Sequence, residues 1–363
     1  MPDTKPSSFR SGFIYGCKPG LNLSGRAFYF IHRNKKMIRI SQDLISQFKG
    51  FLDSHEHFII AGHKEPDGDC IASCLGISYI LDKIKKPYIL INAGPFKRNE
   101  IKKFAPRFSN SVPFMSQQER SRCGLIIADC SEIPRLGDID GDITGLDTFI
   151  IDHHKTSSAS GENCIIDSSA PAASCLVMQL AEAAAGALPQ ETAGILFFGI
   201  ASDTGFFKFL SKDSGEVFAQ AARLSDAGAD PRAIYQRMTG GKAWSTRKLL
   251  GIMLSRAERH CNGKLIVTYE TMEDTRKFGQ EGRDSDALYS LMLEVESAEA
   301  VLFVRQETEF SCTLGLRSRD SCDVSAIASR FGGGGHKNAA GASTEGKIET
   351  LIPRIIKEFA KVL

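Results

Sequence analysis

The sequence predicts an α/β protein of two domains, a larger N-terminal one with a mostly parallel sheet flanked by helices and a smaller C-terminal α/β one. Three observations predict it. At 363 residues the chain exceeds what one hydrophobic core usually serves. Between Ile38 and Asp152 the short apolar runs HFIIAG, PYILIN, GLIIAD and TFIID alternate with helical or turn segments, the pattern of buried strands in a parallel sheet. A second alternation begins after Gly240-Gly241, where KLIVTYET, EAVLFVRQE and FSCTLGLRSR read as strands and DSDALYSLMLEVES as a helix. The expected spans are 1–36 outside the fold, 37–235 the first domain, 236–255 a helical linker and 256–363 the second domain.

The leader, residues 1–36, has no apolar core of secretory length and no helical periodicity, so it is expected to be unstructured. Met37 immediately precedes the first organised segment, and translation is expected to start there. The leader holds seven Lys/Arg against one acid, Asp3; the other 327 residues carry 38 bases against 42 acids, a net charge of −4. Such a body is a poor binder of long nucleic acids, whose sequence-independent affinity comes from many Lys/Arg–phosphate contacts. Short or monomeric phosphate substrates suit it better. No run approaches the ~18 to 20 apolar residues needed to cross a bilayer, so no membrane partner is expected. The ten cysteines form no CxxC pair and mostly lie in apolar segments, which points to reduced, buried thiols in a cytoplasmic protein rather than a zinc site.

The first domain opens with the amphipathic stretch ISQDLISQFKGFLDS, followed by the run HFIIAG and then by a loop that carries chemistry. Gly62-His63-Lys64-Glu65-Pro66-Asp67-Gly68-Asp69 sets one imidazole and two carboxylates in a turn between strand and helix. Pro66 fixes one backbone angle and Gly68 frees another, so both acids can face one locus. Taken alone, PDGD also reads as a turn closed by an Asp helix cap. Asp129 ends the run GLIIAD, where a lone Asp is commonly a turn former. Asp152-His153-His154 follows the run ending at Ile151, and adjacent side chains diverge, so the two imidazoles should differ in task. Asp203 lies among small residues at the end of an apolar helix, within GIASDTG. The acids follow the apolar runs, which puts them at the carboxyl ends of strands, where open α/β sheets bind ligands. Four unrelated turns exposing this many His and Asp residues of metal-binding type argue against accident.

These motifs, in this order, resemble the DHH family of phosphoesterases over about Phe58 to Ser343. His63 with Asp67 and Asp69 is similar to the family's first motif, Asp129 to its second, Asp152-His153-His154 to the third that names it, and Asp203 to its fourth. Phe331 to Gly341, FGGGGHKNAAG, resembles the glycine-rich element of the smaller DHHA1-type domain, and Leu316-Arg317-Ser318 the strand before it. Among subfamilies the combination is most similar to bacterial nanoRNase/pAp phosphatases, which trim very short RNA and dephosphorylate 3′-phosphoadenosine 5′-phosphate. A run of four glycines is often a flexible linker. Here its backbone N–H groups could also approach an anion, and the segment starting at His336 is expected to add a helix amino end.

The resemblance implies one metal on His63, Asp67 and Asp129 and a second on Asp69, Asp129, His153 and Asp203, with Asp129 bridging. It implies that His154 contacts the phosphate under attack and that Asp152 orients the histidines. Arg317, Ser318, Gly333, Gly334, Gly335 and His336 would hold the far phosphate or terminal nucleotide, the planar arginine fork being suited to two phosphate oxygens. Two divalent ions are therefore expected, Mn²⁺ in preference to Mg²⁺ for a mixed imidazole and carboxylate set. Short RNA and nucleotides are the expected partners, and a homodimer is compatible with them. Cleavage of cyclic dinucleotides or of linear dinucleotides such as pApA is the alternative chemistry. The GGGGHKNAAG element argues against an inorganic pyrophosphatase, and a non-catalytic nucleotide sensor is the alternative from another class.

Overall fold

The computed structural model describes residues 39–363 apart from 155, 156, 158–160, 162, 281, 282, 320 and 321. Of the preceding segment it describes an antiparallel pairing of Gly20–Leu21 with Ala27–Phe28. The expected disorder and non-translation of residues 1–36 otherwise fall outside the described residues. The chain forms two compact units, Met1–Met238 and Thr239–Leu363.

In the first unit, helix α1 (Gln42–Ser54) begins where the Ser41 side chain accepts from the Leu44 amide, and it buries Ile45, Phe48, Phe51 and Leu52. The sheet comprises β1 (His57–Gly62), β2 (Tyr88–Ile91), β3 (Cys123–Ala128), β4 (Asp147–Asp152) and β5 (Cys164–Ile166) in the order β2-β1-β3-β4-β5. Every neighbouring pair is parallel. Helices cover both faces of such a sheet, so β3 is buried at each of its residues and reads as an uninterrupted apolar run. Three-residue β5 is too short to announce itself in the sequence. The strand order reverses between β1 and β3, the switch point where α/β sheets open a crevice at their carboxyl ends. His63 follows β1 and Asp129 follows β3.

Helices α2 (Gly68–Lys83), α3 (Ala173–Ala185) and α4 (Gln190–Asp203) pack closely beside that crevice. The approach depends on small residues: a Cβ on Gly199 would lie 2.5 Å from the Ala72 Cβ and 2.6 Å from the Ser174 hydroxyl. Helices α5 (Gly215–Asp226) and α6 (Pro231–Thr239) complete the unit.

The second unit opens with α7 (Trp244–Ser255), and here the expected linker 236–255 is corrected. Leu249, Leu250 and Met253 of α7 are buried in this unit's own core with Ile266, Leu288, Val301 and Phe303, so most of that segment is a packed element rather than a connector. Strands β6 (Glu258–His260), β7 (Leu265–Glu270), β8 (Ala300–Thr308), β9 (Ser311–Ser318), β10 (Gly334–His336) and β11 (Ala339–Glu345) form a sheet ordered β10-β11-β9-β8-β7-β6. Only β7 and β8 run parallel. One face packs on α10 (Val324–Ser329) and α11 (Ile348–Phe359), through Leu302, Leu314, Leu316, Leu351, Ile355 and Phe359. The other carries α7 and α9 (Ser285–Leu293) over β7 and β8, and α8 (Met272–Phe278) follows β7 in the chain.

The helix expected from His336 does not form. His336 ends β10, which turns back onto β11 as an antiparallel hairpin with His336 opposite Ala339. Gly335, at φ +145°, takes a conformation open mainly to glycine, and the N–H of Gly333 is engaged by the Ala328 carbonyl at 3.0 Å. The glycines serve close strand approach: a Cβ on Gly333 would lie 2.1 Å from the Gly341 carbonyl oxygen. Among the described residues no helix is long and apolar enough to cross a membrane.

Candidate metal centre and anion seat

Four loops converge at the sheet's carboxyl edge. Asp67 caps α2, its Oδ1 accepting from the amides of Asp69 and Cys70 at 3.0 and 3.1 Å. The helix-cap reading of PDGD is therefore met by Asp67, while Asp69 turns inward, wholly buried. Both Asp69 oxygens accept from the amides of Ala173 and Ser174, at 2.5 and 2.9 Å. It thus caps α3 from a distance, since Ala172 has no side chain to do so.

Asp129 sits at the centre. Its Oδ2 lies 3.5 Å from His63 Nε2 and its Oδ1 3.3 Å from His153 Nε2, so one carboxylate faces two imidazoles with different oxygens. Asp129 also adopts φ +62°, a left-handed conformation that costs a non-glycine residue energy and that sequence alone does not disclose. His153 Nε2 further lies 3.3 Å from Asp203 and 3.9 Å from Asp69. The other ring nitrogens are fixed by carbonyls, His63 Nδ1 by Lys64 at 2.9 Å and His153 Nδ1 by Ala170 at 3.2 Å, which leaves each Nε2 directed at the carboxylates. Asp152, fully buried, accepts on one oxygen from the His153 and His154 amides and from His154 Nδ1 at 2.8 Å.

Asn92 was not singled out by the sequence. Its amide donates to the carbonyls of Gly62 and His63 and its oxygen accepts from Gly94, holding the loop that presents His63. The signal available was a polar residue ending the apolar run PYILIN.

The electrostatics call for cations. Burial, then the neighbouring Asp129 and Asp203 carboxylates, push Asp69 well above the usual carboxylate range; burial with Asp67 and Asp129 nearby raises Asp203. Burial opposes charge on His63 and His153, yet the carboxylates around them, with Cys70 beside His63, outweigh it and push them up to about 12 and about 11. Asp129, although buried, is held low by those same imidazoles. Asp129 Oδ1 and His153 Nε2, both buried, have no hydrogen-bond partner. Unpaired buried atoms of ligating type, ringed by carboxylates, fit divalent ions. Ligand atoms come within 4.8 Å of one another in three sets: His63, Cys70 and Asp129; Asp129, His153 and His154; and Asp69, His153 and Asp203. Asp67, 3.9 Å from His63 Nε2 through its capping oxygen, stands outside these sets.

In the second unit, on the sheet face that carries α7 and α9 and beside α9, lies a 400 Å³ hollow whose lining includes Tyr289, Arg305, Thr313 and Arg317. Its floor is bare backbone: Gly315, Gly341 and Gly334 face one another across three strands. Two residues along, Arg317, Ala339 and His336 form the parallel row on the same face. The Arg317 guanidinium stacks 4.4 Å from the Tyr289 ring centre. Tyr289 in turn requires Gly315, where a Cβ would fall 1.8 Å from the phenol oxygen. Among the described residues no carboxylate pairs with Arg317, whose polar contact is the adjoining Leu316 carbonyl at 3.0 Å. Of the residues expected to grip substrate, Arg317 and Gly334 line the hollow, His336 is exposed at its edge, and Gly333 and Gly335 shape the hairpin. Ser318, also expected there, is buried on the opposite face, its hydroxyl donating to the Cys322 carbonyl at 2.5 Å.

The fold and centre define a metal-dependent phosphoesterase. The family model for the N-terminal domain of the DHH family matches residues 57–200 and that for the DHHA1 domain residues 262–363, and the chain belongs to this family. It is 31% identical to the bifunctional oligoribonuclease and PAP phosphatase NrnA of Thermus thermophilus, over 79% of this chain and 84% of that one. It is 23% identical to the cyclic-di-AMP phosphodiesterase PdeA of Listeria monocytogenes, over 84% of this chain but 48% of the other. Among solved structures, an exopolyphosphatase-related protein from Bacteroides fragilis shares the fold at TM-score 0.73 and 22% identity, covering 89% of this chain and 98% of that one.

Proposed function

We propose that this protein uses two divalent ions, manganese in preference to magnesium, to hydrolyse short oligoribonucleotides and to dephosphorylate 3′-phosphoadenosine 5′-phosphate. The observation that carries the reading is the division of Asp129, whose two oxygens face His63 and His153 separately at 3.5 and 3.3 Å. His63, Asp67 and Asp129 would hold one ion and Asp69, Asp129, His153 and Asp203 the other. A mixed set of nitrogen and oxygen donors suits manganese. When bound, such a pair neutralises charge on phosphoryl oxygens and lowers the pKa of water.

The protein's own residues then have distinct tasks. Asp152 stays ionised, because hydrogen bonds from His154 and two amides outweigh its burial. It accepts a hydrogen bond from His154 Nδ1 and so turns Nε2 of that half-exposed ring away from Asp152, where it would contact a phosphate oxygen of the substrate. In the second unit, Arg317 would pair with the remote phosphate, and the glycine floor would admit a flat base or ribose that any side chain would obstruct. The net-acidic body favours short substrates over long ones. The nine described cysteines are all free, in keeping with a reducing cytoplasm.

Similarity to PdeA keeps cyclic or linear dinucleotides as a second reading. A manganese-activated panel of 3′-phosphoadenosine 5′-phosphate, di- to pentaribonucleotides, pApA, cyclic di-AMP and pyrophosphate tests both. Highest kcat/KM on the first two classes is expected; preference for cyclic di-AMP would replace the first reading with the second.

A further inference from the structure

Cys70 lies in the first turn of α2, immediately after Asp69, and is completely buried. Buried cysteines normally behave as small apolar groups, and Cys74, Cys123, Cys130 and Cys175 do so, each within one of the two hydrophobic clusters of the first unit. Cys70 belongs to neither cluster. Its sulfur instead shares a locus with a ring nitrogen of His63 and a carboxylate oxygen of Asp129, all within 4.8 Å of one another.

Two features hold it there. Gly62 ends β1 with no side chain, and a Cβ at that position would fall 2.3 Å from the Cys70 sulfur and 3.2 Å from that of Cys74. Asp67, which the two-metal reading also assigns to this ion, has Oδ1 engaged by the first amides of α2, including that of Cys70 itself. The thiol's hydrogen-bond acceptor is the His63 carbonyl, distant at 3.9 Å. Asp129, only 2% exposed, turns Oδ2 into this locus, 3.5 Å from His63 Nε2, while its other oxygen faces His153.

We propose that Cys70 is a sulfur ligand for the ion held by His63 and Asp129, biasing that position of the centre towards thiophilic divalent ions such as zinc, cobalt and cadmium. On binding, the S–H bond releases its proton to solvent and the sulfur lone pair forms the bond to the ion, with no change of oxidation state. Soft sulfur donors favour these ions over magnesium and manganese. The two positions would then differ in kind, one with N, O and S donors, the other with N and O donors alone. The proposal rests on the two-metal reading above.

Cobalt titrated into the full-length, chelator-treated protein tests it, followed by absorption and by calorimetry. A thiolate-to-cobalt charge-transfer band should grow with the first equivalents, disappear in Cys70→Ala and Cys70→Ser, and persist in Cys74→Ala, Cys130→Ala and Cys175→Ala. Gly62→Ala, which displaces the sulfur, should weaken it. Cadmium affinity should fall at least ~10-fold in Cys70→Ser, the loss that removing even a supporting partner costs a metal site, with manganese affinity nearly unchanged. The serine variant preserves shape, so the test survives if the alanine variant fails to fold. Two cobalt ions bound without a thiolate band, or a band surviving in Cys70→Ser, overturns the proposal and leaves the two-metal reading intact. No cobalt binding at all overturns both.

Discussion

The candidate metal centre of the first unit and the hollow of the second are built in opposite ways. The centre concentrates charge: Asp69, Asp129 and Asp152 are almost completely buried, and their helix caps, imidazoles and amides over-determine where they point. The hollow removes side chains, with three glycines abreast and, among the described residues, Arg317 left without a carboxylate while Arg305 pairs with Glu307. A rigid, charged cluster can stabilise charge that develops during reaction, because its groups need not reorganise. A bare floor with one cation discriminates shape and anchors. The division of labour predicts that damage to the first lowers kcat, and damage to the second raises KM.

The largest effect belongs to Asp129. Asp129→Ala should lower kcat by at least ~100-fold, the upper loss seen when a mere supporting partner of a metal ligand is removed, and calorimetry should find fewer than two manganese ions bound. The metal-free variant should melt lower than the parent, since His63 and His153 lose the buried carboxylate that faces both and holds them charged. Two ions still bound would break the bridging assignment. The same centre sets a pH dependence. In the metal-free protein His63 and His153 are raised to about 12 and about 11, so each imidazolium stabilises the fold fully below its unfolded value near 6.5 and loses that contribution only as pH climbs through the raised values. Ions must displace those protons, so apparent manganese affinity should rise with pH across the neutral range; a flat profile by calorimetry would contradict it.

Asp152→Asn comes next. The neutral amide keeps the shape but weakens the hold on His154 Nδ1, and kcat should fall ~10- to 100-fold with both ions retained. Loss of a bound ion would mean that Asp152 ligates metal directly. Arg317→Ala should raise KM for dinucleotides ~10- to 100-fold, the range of one or two charge-assisted hydrogen bonds, with kcat little changed. Lysine should restore only part, because it supplies one charge without the planar fork that also stacks on Tyr289.

The centre was far more legible than the hollow, and the reason is physical. His and Asp are conspicuous where apolar strands end, because a buried sheet tolerates polar groups only at its edges and its crevice opens at the carboxyl edge. His63, Asp129 and Asp152 therefore stand out, whereas Asn92 and Cys70 act through backbone carbonyls or proximity that no local pattern reports. The hollow depends on register. Gly315, Gly334 and Gly341 lie on three strands, and only the pairing of β9, β11 and β10 makes them neighbours. Read along the chain, the run Gly332 to Gly335 suggested an anion cradle leading into a helix. Strand pairing instead engages it in a hairpin, and Ser318, adjacent to Arg317, turns to the opposite face and into the interior.

The smallest predicted effect separates the two uses of glycine within that hairpin. A Cβ on Gly334 meets nothing within 4 Å, so Gly334→Ala should leave the melting temperature unchanged or slightly raised, because alanine restricts the unfolded chain by about 0.4 to 1 kcal/mol. The methyl nevertheless stands on the floor beside Arg317, and KM should rise a few-fold, more for nucleotides than for a phosphate ester without a base. Gly333→Ala is the converse: its Cβ would sit 2.1 Å from the Gly341 carbonyl oxygen, so the hairpin must move and the melting temperature should fall. If Gly334→Ala leaves the KM for nucleotides untouched while Arg317→Ala raises it, the arginine binds substrate and the glycine row serves only strand pairing.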